Sequence, residues 1–209
     1  MPTPISAQGL IFLTSAHGSL RPMRAIRPDA TGDITAPAAS GTNAFIAWVH
    51  PRQGNYMQTP IAVGDWLYGC NDAGVVTCFE ARTGKILYSE RVGSGAQGFT
   101  ASPVSDGRHL YFTSETGNVV VVPVGPQFST VATNRLGETC LATPAIADGT
   151  LFCRTRSKLV AIRHRVVARA SMRSTPTCPP SVLNRATPPV KVMRPPAFVA
   201  PGSPRWPGC

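Results

Sequence analysis

The chain has 209 residues, 43% hydrophobic and 7% aromatic content, and a formal net charge of +10. That length suits one domain, and 21 prolines with 19 glycines favour turns over helices. Residues 1–163 carry a net +3 and residues 164–209 a net +7 with no acid, so the basicity does not make the body of the chain a nucleic-acid binder.

Residues 1–15 have no basic leader and only a short apolar run at residues 10–13, which is expected to be neither signal peptide nor membrane anchor. They open a pattern instead. Thr3-Pro4-Ile5, Thr59-Pro60-Ile61, Ser102-Pro103-Val104 and Thr143-Pro144-Ala145 each begin a similar stretch. Seven residues after each proline stand Ile11, Leu67, Leu110 and Leu151, and eight after stand Phe12, Tyr68, Tyr111 and Phe152. The prolines are 56, 43 and 41 residues apart, which makes the unit about 42 residues with an insertion, near residues 31–42, in the first copy.

The second copy shows what fills a unit. Asp65-Trp66-Leu67-Tyr68-Gly69-Cys70, Val75-Val76-Thr77-Cys78-Phe79 and Lys85-Ile86-Leu87-Tyr88-Ser89-Glu90 are short β-rich runs separated by Asn71-Asp72-Ala73-Gly74 and Arg82-Thr83-Gly84. The third copy repeats the plan with His109-Leu110-Tyr111-Phe112-Thr113 and Val119-Val120-Val121-Val122. Gly18, Gly74 and Gly117 each lie fourteen residues after a proline, where a tight hairpin needs a positive φ. Lys158 holds that place in the fourth copy, so its turn must differ. About four short strands per unit make a propeller blade. The expected fold is all-β, a partial β-propeller of about four blades with four-stranded antiparallel sheets over residues 1–163.

Between the second and third copies, Gly93-Ser94-Gly95-Ala96-Gln97-Gly98 spells a dinucleotide-binding fingerprint. That chemistry needs a helix to start there, whereas Phe99-Thr100-Ala101-Ser102-Pro103-Val104 leads into a strand, so the segment reads as a link between blades. A four-residue loop at residues 71–74 sets Cys70 opposite Val75 and Cys78 opposite Leu67, placing the two thiols on opposite sheet faces without a disulfide. Cys70, Cys78, Cys140 and Cys153 read as small buried hydrophobes; Cys178 and Cys209 fall in the tail. His17, His50, His109 and His164 are scattered without ligand spacing and read as turn or surface residues. No catalytic, cofactor-binding or metal-ligating residue is singled out.

Phe79-Glu80-Ala81-Arg82-Thr83-Gly84-Lys85-Ile86-Leu87-Tyr88 resembles the acidic-x-x-Thr-Gly-Lys turn and outer strand of the pyrroloquinoline-quinone-like (PQQ-like) β-propeller repeat proteins, with Tyr88 where that family often has Trp. Arg27-Pro28-Asp29-Ala30-Thr31-Gly32-Asp33-Ile34 is a weaker echo. The resemblance runs over about residues 3–163 and extends to the propeller lipoproteins of the bacterial outer-membrane barrel assembly machinery, which carry the repeat without a quinone. It implies seven or eight blades in a whole protein, and a place in the periplasm or cell envelope. Quinoprotein dehydrogenases of this fold use an adjacent cysteine pair, a catalytic aspartate, calcium ligands and a tryptophan floor. The six cysteines here include no adjacent two, so no cofactor is expected in this stretch.

The function so implied is a non-enzymatic protein- or peptide-binding scaffold, with a fragment of a PQQ-dependent dehydrogenase as the alternative. Nucleic acid is not an expected partner, and no transmembrane segment is read. Open sheet edges invite self-association, and four blades alone are expected to be a marginally stable fragment. Residues 164–209 hold ten of the prolines, with neither alternation nor helical spacing, and are expected to be a disordered tail. Two accounts of that tail stand: a basic interaction arm, and translation out of frame, which the abrupt loss of acids and of repeat pattern favours.

Overall fold

The structure is a computed structural model that describes residues 2–16, 20–36, 41–93 and 97–163. Gly18, His17, Gly95, Cys178, Cys209, His164 and the whole tail fall outside the described residues. Among those described there is no helix. Strands pair strictly with their sequence neighbours in four antiparallel sheets. The first sheet holds β1 (Ile5–Ala7), β2 (Leu10–Thr14), β3 (Met23–Ile26) and β4 (Ile46–His50). The second holds β5 (Ile61–Val63), β6 (Trp66–Cys70), β7 (Val75–Glu80) and β8 (Ile86–Arg91). The third holds β9 (Val104–Ser105), β10 (His109–Thr113), β11 (Asn118–Pro123) and β12 (Ala132–Arg135), and the fourth β13 (Ala145–Ala147), β14 (Thr150–Arg154) and β15 (Leu159–Arg163). Four successive meanders of this kind are propeller blades, and the insertion of the first copy forms the long β3–β4 connection.

The repeat spacing is a pairing register. The residue after each proline pairs with the aromatic eight after it: Ile5 with Phe12, Ile61 with Tyr68, Val104 with Tyr111 and Ala145 with Phe152. Two of the inner hairpins turn on two residues with positive φ, Gln8-Gly9 (53° and 73°) and Asp148-Gly149 (48° and 68°), the twist that suits adjacent antiparallel strands.

The spacing to glycine shared by the second and third copies also has a geometric cause. Gly74 and Gly117 have φ of 76° and 80° and end turns in which each amide reaches back to Asn71 O or Ser114 O at 2.9 Å. In the fourth blade Arg154 pairs with Leu159, leaving a four-residue loop. Thr155 closes it, its amide donating to Lys158 O at 2.8 Å and its hydroxyl accepting from Lys158 N at 3.1 Å.

One expected register is corrected. Cys70 pairs with Val76 and Cys78 with Tyr68, so the β6–β7 loop has five residues, not four. The Asn71 carboxamide oxygen accepts from the amides of Ala73 and Val75 at 3.0 and 2.9 Å, drawing Val75 into the turn. A one-residue slip reverses faces. Cys70 and Cys78 therefore lie on the same face, in one cluster with Tyr68 and Val76. Both thiols are free, because diagonal neighbours stand ~7–8 Å apart, beyond the ~3.5–4.5 Å Cβ spacing of a disulfide.

The middle blades are buried on both faces. Leu67 and Phe79 face the first blade in a cluster with Phe12, Met23 and Trp48. Tyr68, Cys70 and Cys78 face the third blade against Leu110, Phe112, Val120 and Val122. Val119 turns the other way toward Cys153 and Val160 of the fourth. Near-continuous apolar runs in β6, β7 and β11 follow from this double burial, whereas β15 alternates, with Val160 buried between exposed Leu159 and Ala161.

Candidate functional site

The threonine or serine before each repeat proline joins the blades. The Thr3 amide donates to Thr59 Oγ1 at 3.1 Å, the Thr59 amide to Ser102 Oγ at 3.0 Å, and the Ser102 amide to Thr143 Oγ1 at 3.0 Å. Each hydroxyl thus satisfies a backbone donor one blade back, where proline itself has none to offer. This chain of bonds links the segments that lead into the innermost strands.

A second tie joins the outer strand of the first blade to the second. Trp48, on β4, donates its indole N–H to Ala81 O at 3.0 Å and stacks on Phe79 with ring centroids 5.7 Å apart. His50 Nε2 meets Gly84 O at 2.6 Å, so His50 is a half-buried interface residue and not the surface or turn residue expected. The Glu80–Lys85 turn that receives them is fixed by its own sequence. Gly84 N donates to Glu80 O at 2.8 Å, the Thr83 hydroxyl to Glu80 Oε2 at 2.6 Å, and Lys85 N to Thr83 Oγ1 at 3.2 Å. Trp48 pairs with Ala25 as Tyr88 pairs with Cys78, so the two aromatics hold equivalent positions in consecutive blades. Tyr88 instead meets Phe128 of the third blade, centroids 5.5 Å apart.

The ionisable groups with displaced proton affinities are built into turns and core. Burial opposes ionisation of Asp106, but hydrogen bonds from the amides of His109 and Arg108, the Tyr111 hydroxyl and the His109 ring outweigh it and hold its pKa at about 2. The Lys158 ammonium, 2.7 Å away, with Thr155 and Ser157, holds Glu138 at about 2. Lys158 therefore fastens its turn to the preceding link through an ion pair. Burial pushes the Cys70 thiol up to about 12 and those of Cys78 and Cys153 up to about 11. Such thiols are poor nucleophiles at neutral pH. His109 Nδ1 lies 3.3 Å from Asp106 at the start of β10. Among the described residues no three His, Cys, Asp or Glu side chains converge as metal ligands.

Two surface features lie on one rim, where each outer strand ends and the link to the next blade begins. The first is apolar: Tyr56, Met57 and Leu141 are about half exposed. Met57 and Leu141 stand at the same repeat position, three residues before Pro60 and Pro144. The second is a polar cleft of about 310 Å³ lined by Arg91, Gly93, Gln97, Asn118, Thr130, Thr133 and Arg135. Its two arginines end β8 and β12, and their strand partners, Val75 and Asn118, each lie fifteen residues after a repeat proline. Sequence reasoning missed this pair; a basic residue closing two successive outer strands was the available signal. The Gly-rich segment beside the cleft continues into residues 97–103 without helix, as a link should.

No protein-family model matches this chain. No curated protein matches it either. Its structure is similar to that of BamB from Moraxella catarrhalis, with a TM-score of 0.55 and 16% identity over 73% of this chain and 42% of that one. It is also similar to the quinohemoprotein alcohol dehydrogenase ADHIIG from Pseudomonas putida HK5, with a TM-score of 0.53 and 12% identity over 77% of this chain and 28% of that one. The likeness establishes the β-propeller fold, and the chain spans less than half the length of either structure.

Proposed function

We propose that this chain is a non-enzymatic β-propeller repeat protein that binds protein or peptide partners in the periplasm or cell envelope. The observation that carries the reading is the recurrence of exposed apolar side chains, Met57 and Leu141, at one repeat position on one rim, with Tyr56 beside the first. Apolar residues repeated on a rim form a surface suited to a partner. The likeness of fold to BamB supports the same class. Among the described residues no helix is long and apolar enough to cross a membrane.

The test places a photo-crosslinking residue at Met57, at Leu141 and, on the opposite rim, at Ile86 in cells expressing the chain. The expected result is a discrete envelope protein captured from positions 57 and 141, not from 86, and lost in Met57→Asp with Leu141→Asp. Equal capture from both rims sinks the reading.

The fold likeness to an alcohol dehydrogenase supports the alternative, a portion of a PQQ-dependent enzyme. The described residues do not fit a quinone held with a metal ion: the hydroxyls of Thr59, Ser102 and Thr143, just ahead of the innermost strands, accept the inter-blade bonds, and no acidic or imidazole cluster accompanies them. Dye-linked alcohol oxidation that appears on adding PQQ and calcium would favour the dehydrogenase over the scaffold.

A further inference from the structure

We propose that the cleft between the second and third blades is a binding site for a phosphate monoester group. Arg91 and Arg135 close equivalent outer strands of consecutive blades, so the fold delivers two guanidinium groups to the walls of one cavity. Among the described residues its lining contains no carboxylate and no histidine to compensate the two positive charges. Among the described residues Arg91 donates once, to Ala73 O, which anchors its guanidinium to the β6–β7 loop and leaves its other donors. The Arg135 guanidinium has no hydrogen-bond or ion-pair partner among the described residues. The Thr130 and Thr133 hydroxyls add donors of adjustable direction. Asn118 is held in place by its bonds to Gln97 Oε1 at 3.1 Å and Thr116 Oγ1 at 3.2 Å.

The choice of anion follows from the donors. A carboxylate is planar and is satisfied by one arginine through two parallel bonds, whereas a phosphate monoester offers three acceptor oxygens and close to two charges near neutral pH. Two guanidinium groups arriving from separate strands, with two hydroxyls in the same lining, match the tetrahedral dianion. The volume of about 310 Å³ sits at the lower end of small-molecule sites, roughly 300–1,000 Å³, and leaves room for the group that bears the phosphate. The phosphate could be carried by a soluble metabolite or by a lipid headgroup, and the chemistry at the cleft is the same.

The experiment titrates the full chain with phenyl phosphate by calorimetry at low salt, with benzoate as the carboxylate comparator. Arg91→Gln, Arg135→Gln and the double variant follow, each checked for an unchanged melting temperature. Loss of one charge-assisted contact is expected to weaken phenyl phosphate binding on the order of tenfold, and loss of both to abolish it. Affinity should also rise as pH increases through about 6, where the monoester takes its second charge. Thr133→Val provides a neutral variant expected to weaken binding less than either arginine change. In a second arm, vesicles containing phosphatidic acid are compared with phosphatidylcholine vesicles. The seven basic residues of 164–209 attract any acidic surface, so only binding lost in the double variant counts, and it assigns the phosphate to a lipid headgroup. Equal affinity for benzoate, or phosphate binding untouched by the double variant, overturns the proposal.

Discussion

Replacing Gly84 by alanine tests how the first two blades are joined. Gly84 has φ +74°, and an added Cβ would lie 2.5 Å from Trp48 Cδ2. Two costs should therefore add. A left-handed conformation costs a non-glycine residue roughly 1–2 kcal/mol. Overpacking a fixed aromatic ring adds about 1–3 kcal/mol, since Trp48 is tied to Ala81 O and packed against Phe12 and Phe79 and cannot step aside. Gly149 separates the terms, because its φ is +68° with nothing within 4 Å of the added Cβ. Gly149→Ala is expected to cost the conformational part alone, and Gly84→Ala about 2–5 kcal/mol in all. Urea unfolding followed by far-ultraviolet circular dichroism reads all of these variants alike, including those that lack Trp48. Adding Trp48→Leu should relieve most of the steric part, so the Trp48 and Gly84 changes are less than additive by about 1–3 kcal/mol. Equal costs for the two glycine variants, or full additivity with Trp48→Leu, refute the account of this joint.

Three other outcomes are expected. Ser102→Ala should destabilise by about 1 kcal/mol by orphaning the Thr59 amide, while Ser102→Thr, the residue of the other three copies, should be tolerated; denaturant midpoints distinguish them. Cys70, Cys78, Cys140 and Cys153 are buried and free, so site-resolved thiol labelling should modify them only in urea. The depressed carboxyl of Asp106 contributes stability that is complete above the ordinary pKa of 3.8 and is lost as pH falls through about 2. Asp106→Asn should flatten that portion of the acid unfolding curve, and a profile unchanged by the substitution counts against the contribution.

Much of the fold was legible because a repeat turns spacing into register. Pro4 through Pro144 announced the four blades, and the interval to each aromatic proved to be the pairing of the first hairpin. What the spacing could not carry was side-chain capture at a distance. The slip at residues 71–75 arose because the Asn71 side chain binds two amides in its own loop, which counting residues does not show. Trp48 went unrecognised as the counterpart of Tyr88 because the first-copy insertion displaced it from the interval seen in the second copy. Arg91 and Arg135 each look like an ordinary solvated charge until adjacent blades bring them to one cleft. The same holds for Met57 and Leu141, whose shared position is plain in the sequence while their exposure is not.

The bonds from Thr3 to Thr59, Thr59 to Ser102 and Ser102 to Thr143 all run in one direction, and each uses the backbone of one repeat with the side chain of the next. A unit that brings its own Ser/Thr-Pro therefore carries both halves of its connection to any neighbour. Gene duplication can lengthen such a chain, and deletion can shorten it, without a matching mutation elsewhere. Descent by copying is then free to vary the rims, where recognition is decided, while the inner seam is inherited ready-made.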